Sequence, residues 1–595
     1  MDTTNTTHDN PQDVEAPDPH GKVLPAAASE NAPAPASSPA DTTPEDGAPE
    51  NPRPEDPNRE NETSEASVPH DPAPASSTTG GDIWAARLHT PTAGWVATTV
   101  ATIIAAIIRM TGLDNVRTLV FDETYYVKDA WSLITLGYEG TWPNNYDASF
   151  VAGNVSGLAA KGGYPVHPPT GKWLIGLGME ALGQTDPVGW RIVTAICGVI
   201  TVFLLCRLAQ NLFHSPLLAG LFLATDGIAI VMSRTSILDG YLAMFALAAF
   251  LCVVKDQQMS RPTLTSKLTA WDGIGAPRHG WASLRAFVTL RDQHGFAIGP
   301  NAGILCGLAS SVKWSGVYVL ACLGIFVAIR EVTYRWRLGH PSPVRGALIA
   351  DVWWAFILMV PSAILTYIAS WFGWFTHPQA HGHGRSGIPG FTGALADLWI
   401  YHKDMWTFHT GLTTPHTYQS NPYTWLAQVR PTSFHWSNDA SITGCASGKC
   451  ATNVVALGNP VLWWIGIGAL LLVLIVTLRY RNWRSGVILT GYLALYVPWL
   501  TYAHRTIFTF YTVAFVPFVA LGVAWMVALL ADAVTISGAA PSSPPPLRSA
   551  TTGRLLAAAL TIAILACAFY FMPLWRGDVV DYEFWRAHMW LPTWI

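Results

Sequence analysis

A chain of 595 residues, half of them hydrophobic and only 12% charged, with a formal net charge of −4, is neither an ordinary water-soluble domain nor a basic nucleic-acid binder. Apolar runs of membrane-spanning length recur from residue 93 to 572, alongside 27 Trp, so the fold class expected is an all-α polytopic membrane protein. The charge is divided unevenly: the first 80 residues hold 16 Asp/Glu against 3 Lys/Arg, which leaves 32 basic and 23 acidic residues in the rest, a formal +9 suited to anionic headgroups.

Residues 1–85 are rich in Pro, Ala, Ser, Thr and acids with few large apolar side chains, the composition of a disordered tail. No cleavable leader is expected, because the first apolar run starts far from the N-terminus. Spans are predicted near 93–109, 188–206, 214–232, 236–254, two within 297–329, then 347–371, 459–478, two between Arg484 and Arg548, and 555–572. Basic clusters at Lys255–Arg291, Arg330–Arg345, Arg479–Arg484 and, more weakly, Arg548 and Arg554 mark the cytoplasmic side, so about eleven crossings put the N-terminus inside and the C-terminus outside. The transmembrane domain is expected over 86–580, with an external segment at 581–595.

That map gathers two polar regions, 110–187 and 372–458, on the outer face together with Arg234, Lys313, Arg505 and the C-terminal segment. The first contains adjacent acids, Asp122 and Glu123, on a stretch of helical character expected to lie in the interface, and then HPPTGKW at 167–173. The second is dense in His, aromatic and amide side chains, a surface suited to sugars and extended peptide. Arg109, Arg117, Lys128, Lys161 and Lys172 fall outside against the usual bias, which suggests an anionic ligand such as a lipid phosphate.

Each residue also has a plainer reading. Asp122-Glu123 suits a helix N-terminus, Arg234 an ion pair with Asp226 or Asp239 locking a hairpin, and Lys172 and Lys313 can snorkel to headgroups. His167 can bond a carbonyl at its Pro-Pro turn, and His377, His381 and His383 read as a solvated loop, so no metal site is assigned. Six cysteines fall in apolar spans, whereas Cys445 and Cys450 share a Gly- and Ser-containing outer loop where a disulfide is expected.

The ordered motifs FDETYYVKDAW, HPPTGKWLIGLG, PVGWRIVTAICG, LATDGIAIVMSRTSILDGYLAMF, SSVKWSGVY, YHKDMWTFH to HTYQSNPYTW, and RTIFTFYTVAFVPF resemble the protein O-mannosyltransferases of the GT-C superfamily over roughly residues 90–580. The loop 372–458 is too short for the β-trefoil of eukaryotic members, so the chain looks like the bacterial type, with Thr417, Tyr423 and Leu426 departing from the family pattern. The resemblance implies inverting transfer of mannose from a polyprenyl-phosphate donor to Ser or Thr of secreted or membrane proteins at the outer face of the cell membrane, alongside the secretion machinery, with no further cofactor and no nucleic acid. It implies Asp122 as base, with Glu123 orienting the acceptor or the sugar. Arg191, Arg505, Arg234 and Lys172 are the candidates for the donor phosphate. Tyr126, His167, Asp239, His409 and His416 are those for the acceptor or sugar. A polyprenyl-phosphate-sugar transferase acting on a lipid or glycan, and a transporter, are the alternatives; charges gathered at span ends, Asp226 excepted, speak against transport.

Overall fold

The computed structural model describes residues 90–164, 166–271, 295–533 and 547–595. The acidic tail expected at 1–85 and much of the basic stretch 255–291 lie outside them or have no described side chains.

Helices begin where Thr, Asp or Asn is followed by Pro. Thr90 caps α1 (Pro91–Met110), Asp186 caps α4 (Pro187–Phe213) and Asn459 caps α12 (Pro460–Tyr480), each accepting a first-turn N–H while Pro removes another donor. Between α1 and α4 lie α2 (Glu123–Leu136), a β1–β2 ribbon (Gly140–Thr141, Ala159–Gly162) and α3 (Thr170–Leu182). At about 1.5 Å per residue α2 is too short to span. Its buried face, which includes Glu123, Tyr126, Val127 and Leu133, packs into the protein, so it is more deeply enclosed than an interfacial helix.

The apolar run after α4 is broken into α5 (Pro216–Ala224) and α6 (Gly227–Arg234), bent by 62°. The break is held by charge. Asp226 accepts from the N–H groups of Ala229 and Asn459 and from Trp463 Nε1, while Arg109 donates to the freed carbonyls of Leu223 and Ala224. Asp226, the apolar-run acid that a transporter reading would use, is thereby a structural cap.

Then follow α7 (Asp239–Trp271), α8 (Gly295–Val312), α9 (Gly316–Arg337), α10 (Trp353–Ser370), α11 (Gly390–Gly411), α13 (Trp483–Thr501), α14 (Val516–Leu530) and α15 (Leu547–Arg576). Among the described residues seven helices are long and apolar enough to cross a membrane, with the bent pair an eighth candidate. Three of the expected eleven crossings fall on α8, α13 and α14, outside those seven; α8 and α14 have only short apolar stretches. A three-stranded antiparallel sheet, β3 (Thr432–Ser437), β4 (Cys450–Ala456) and β5 (Val579–Asp581), ties the 372–458 loop to the segment after α15. Cys445 and Cys450 are disulfide-bonded at the head of β4.

Candidate active site

Phe121 precedes α2 with φ +50, a left-handed conformation that a bulky residue rarely adopts. Four aromatic neighbours hold it: Phe434 stacks at 5.1 Å, and Phe508, Phe510 and His416 meet its ring edge-on at 5.3, 5.4 and 5.7 Å. This cage joins the first polar region, the 372–458 loop and the 505–511 segment, and it turns the chain sharply just before the two acids. His416 belongs to it: its Nδ1 accepts from Tyr418 N, so it supports Phe121.

The adjacent carboxylates then part. Glu123 is fully buried and its four lone-pair positions are filled, Oε1 by Arg191 Nε at 2.9 Å and Ser236 N at 2.8 Å, Oε2 by Arg191 Nη2 at 2.7 Å and Val120 N at 3.0 Å. Nothing remains with which to orient a substrate. Asp122 is only half-buried; Tyr126 Oη donates to its Oδ2 at 3.4 Å, and among the described residues its Oδ1 accepts no hydrogen bond. Burial lifts the Asp122 carboxyl to about 6, with Lys313 opposing, Asp239 reinforcing and the Tyr126 bond opposing.

Three of the four phosphate candidates are occupied. Arg191 spends its remaining donors on the carbonyls of Leu113, Val116 and Thr118. Arg234 forms no ion pair with Asp226 or Asp239; it donates to the carbonyls of Ile108, Arg109, Thr111, Gly112 and Arg576, sealing the end of α1. Lys172 lies buried between Asp129 at 3.6 Å and Glu139 at 2.8 Å, so it does not snorkel. Of the other bases expected to signal an anion, Arg109 serves the α5–α6 break and Lys128 pairs with Asp147 at 2.7 Å. Arg505 differs: its guanidinium makes no hydrogen bond among the described residues, and its Nε is buried without a partner.

Asp239, at the start of α7, binds Lys313 through both oxygens at 2.9 and 3.0 Å, and Lys313 lies 4.2 Å from the Tyr511 ring. Lys313, read from sequence as able to snorkel, is thus a buried site residue. Tyr511 lies within electrostatic reach of Asp239, Asp122 and Arg505, and burial pushes its phenol up, keeping it a proton donor. The motifs RTIFTFY and SSVKWSGVY carry both residues; Lys313 stands out in the sequence as a charge on the outer face, whereas nothing local marks Tyr511.

Among the described residues His167 makes no hydrogen bond to a carbonyl of its own turn. His409 Nε2 donates to Val166 O at 2.6 Å and stacks on His167 at 4.8 Å. A carbonyl only accepts, so Nε2 carries the hydrogen and His409 Nδ1 is left as an acceptor. Burial holds His167 well below the usual range, with His409, Lys313, Lys172 and Arg505 lowering it further, and brings His409 to about 4 against the opposing Val166 bond, so both are neutral at pH 7. Behind them Trp314 Nε1 donates to Tyr367 Oη at 2.9 Å, and Tyr367 Oη meets His402 Nε2 at 2.6 Å. His377 and His383 bond carbonyls of Gly373 and Trp374.

The site therefore offers one half-buried carboxylate with an open oxygen, a lysine–aspartate pair, an unpaired arginine and neutral imidazoles, set among membrane helices. The fold is that of the multi-pass membrane glycosyltransferases of the GT-C type. The solved Saccharomyces cerevisiae protein O-mannosyltransferase Pmt1-Pmt2 complex bound to the sugar donor shares the fold, with a TM-score of 0.60 at 14% identity over 86% of this chain and 94% of that one. A family model described as dolichyl-phosphate-mannose-protein mannosyltransferase matches residues 99–272, and one for the C-terminal four TMM region of protein-O-mannosyltransferase matches 394–594. The polyprenol-phosphate-mannose–protein mannosyltransferase of Mycolicibacterium smegmatis is 32% identical over 84% of this chain and 93% of its own length. That of Corynebacterium glutamicum is 30% identical over 83% and 92%. The chain belongs to the protein O-mannosyltransferase family.

Proposed function

We propose that this protein transfers mannose from a polyprenyl-phosphate-mannose donor to Ser or Thr hydroxyls of secreted or membrane polypeptides, at the outer face of the cell membrane. The observation that carries the reading is the open Oδ1 of Asp122 beside the Lys313–Asp239 pair, in a chain about one-third identical to proteins named for that donor and acceptor. The acceptor oxygen bonds to the anomeric carbon as the bond from that carbon to the phosphate oxygen breaks, with inversion. The hydroxyl proton passes to Asp122 and the carrier leaves as polyprenyl phosphate. A hydroxyl is too weak an acid to ionise beforehand, and general-base assistance of this kind contributes roughly 10²- to 10⁴-fold. A carboxyl raised to about 6 is a stronger base than an ordinary aspartate yet is mostly ionised at pH 7. Arg505 supplies the unpaired cation for the phosphate charge that grows as the bond breaks. Tyr126, Asp239, His167 and His409 present hydrogen-bonding groups toward sugar or acceptor; neutral His409 Nδ1 can accept a hydrogen bond from a hydroxyl.

Purified enzyme with labelled polyprenyl-phosphate-mannose and a Ser/Thr peptide tests this. Asp122→Asn retains donor binding and loses transfer by at least about 10²-fold; Arg505→Ala weakens donor binding. Full transfer by Asp122→Asn rejects the site.

A further inference from the structure

At the other end of the helices from Asp122, a pair of cations lacks an anion. Arg207 lies near the C-terminal end of α4, about 24 Å along that helix from Arg191 at 1.5 Å per residue. Its Cζ sits 3.8 Å from the centre of the Trp95 ring. One residue earlier, Gly94 leaves room for the Gln210 side chain of α4, whose Oε1 a Cβ there would meet at 2.4 Å.

Arg207 is half-buried, its guanidinium makes no hydrogen bond or ion pair among the described residues, and its Nη1 is buried without a partner. Lys255, exposed on the apolar part of α7, is close enough to feel the Arg207 charge and has no carboxylate of its own among the described residues. The neighbouring Asp256 is turned to Arg330 at 3.7 Å, and His214 bonds Gln210. Two like charges within reach of each other repel, and an anion between them relieves the repulsion. The start of α1, the end of α4 and the end of the apolar part of α7 share one membrane boundary, where Trp95 is half exposed beside the outward-facing Val96 and Val100.

We propose that Trp95, Arg207 and Lys255 form a seat for the phosphate of an anionic glycerophospholipid, on the membrane boundary opposite the active site. A lipid suits the place better than a soluble anion, because the apolar wall of α1 beside Trp95 receives acyl chains while the two cations take the headgroup.

The test uses the full chain in bilayer discs of phosphatidylcholine, alone or with a minority of phosphatidylglycerol. Lipids retained on the released protein are counted by native mass spectrometry, and Arg207 reactivity toward an arginine-selective dione is mapped by peptide analysis. The wild type retains phosphatidylglycerol about tenfold above its share of the bilayer, and Arg207 is protected only when that lipid is present. Arg207→Gln with Lys255→Gln removes the enrichment while elution and thermal unfolding stay those of the wild type. Lys255→Gln alone, at an exposed position, lowers it partly with unchanged thermal unfolding. Equal retention by wild type and variants overturns the proposal. So does protection of Arg207 in phosphatidylcholine alone, or protection by inorganic phosphate at matched concentration.

Discussion

Replacing Glu123 by Gln tests the division of labour between the neighbouring acids. Its carboxylate accepts four bonds, two from Arg191 and one each from Val120 N and Ser236 N. An amide puts N–H groups where two of those donors already point. Two bonds to a charged group are lost at about 1.5–3 kcal/mol each, and Arg191, itself almost fully buried, keeps an uncompensated charge. Removing one partner of a buried pair costs about 3–5 kcal/mol, so Glu123→Gln and Glu123→Ala both fall in that range. Thermal unfolding in detergent, followed by Trp fluorescence, is measured beside mannosyl transfer. Both fall together, because Glu123 anchors the chain next to Asp122 and, through Ser236, the start of α7 that carries Asp239. Arg191→Ala with Glu123→Ala destabilises by less than the two single changes added. A Glu123→Gln protein that unfolds at the wild-type temperature yet has lost transfer refutes this reasoning, since Glu123 would then act on substrate.

Three further outcomes follow from the same geometry. Because Phe121 is held at φ +50 by its ring contacts, Phe121→Ala loses the cage while keeping the strain, and lowers both stability and transfer. Phe121→Gly relieves the strain, so it unfolds at a temperature no lower than Phe121→Ala; a clear reversal of that order removes the strain argument. Transfer falls as pH drops through about 6, where Asp122 takes up its proton, whereas His409, at about 4, adds nothing to that limb; a flat profile from pH 7.5 to 5 excludes Asp122 as base. Since the folded-state pKa of Asp122 is raised, the folded protein binds its proton more tightly than the unfolded chain does, and that residue's contribution to stability diminishes as pH rises from its unfolded value toward about 6. Asp122→Asn therefore unfolds at pH 7 no lower than the wild type, and a marked loss of thermal stability in that variant contradicts the reading.

Long apolar runs make the membrane helices legible from composition alone, because a bilayer core accepts only backbone that bonds to itself. The cap residues before Pro, the acid pair and the ordered motifs are local too, and they carried the GT-C fold, the family and the cysteine pair. What no local pattern showed is which acid is open and which cation is unpaired. Asp122 and Glu123 point in different directions because successive helical residues are turned by about 100°. Which direction leads to a site and which into the core depends on Arg191 and Ser236, 68 and 113 positions away from Glu123. Arg191, Arg234, Lys172 and Arg505 look alike as charges in a sequence. The folded chain consumes three of them on its own carbonyls and carboxylates, since a buried cation must find a partner, whereas the Arg505 guanidinium makes no hydrogen bond among the described residues. The same accounting moved Lys313 from a presumed surface position into the site. The spans are set by the transfer of side chains out of water, a property of each segment by itself, whereas the site is set by pairing across distant segments, which exists only once they meet.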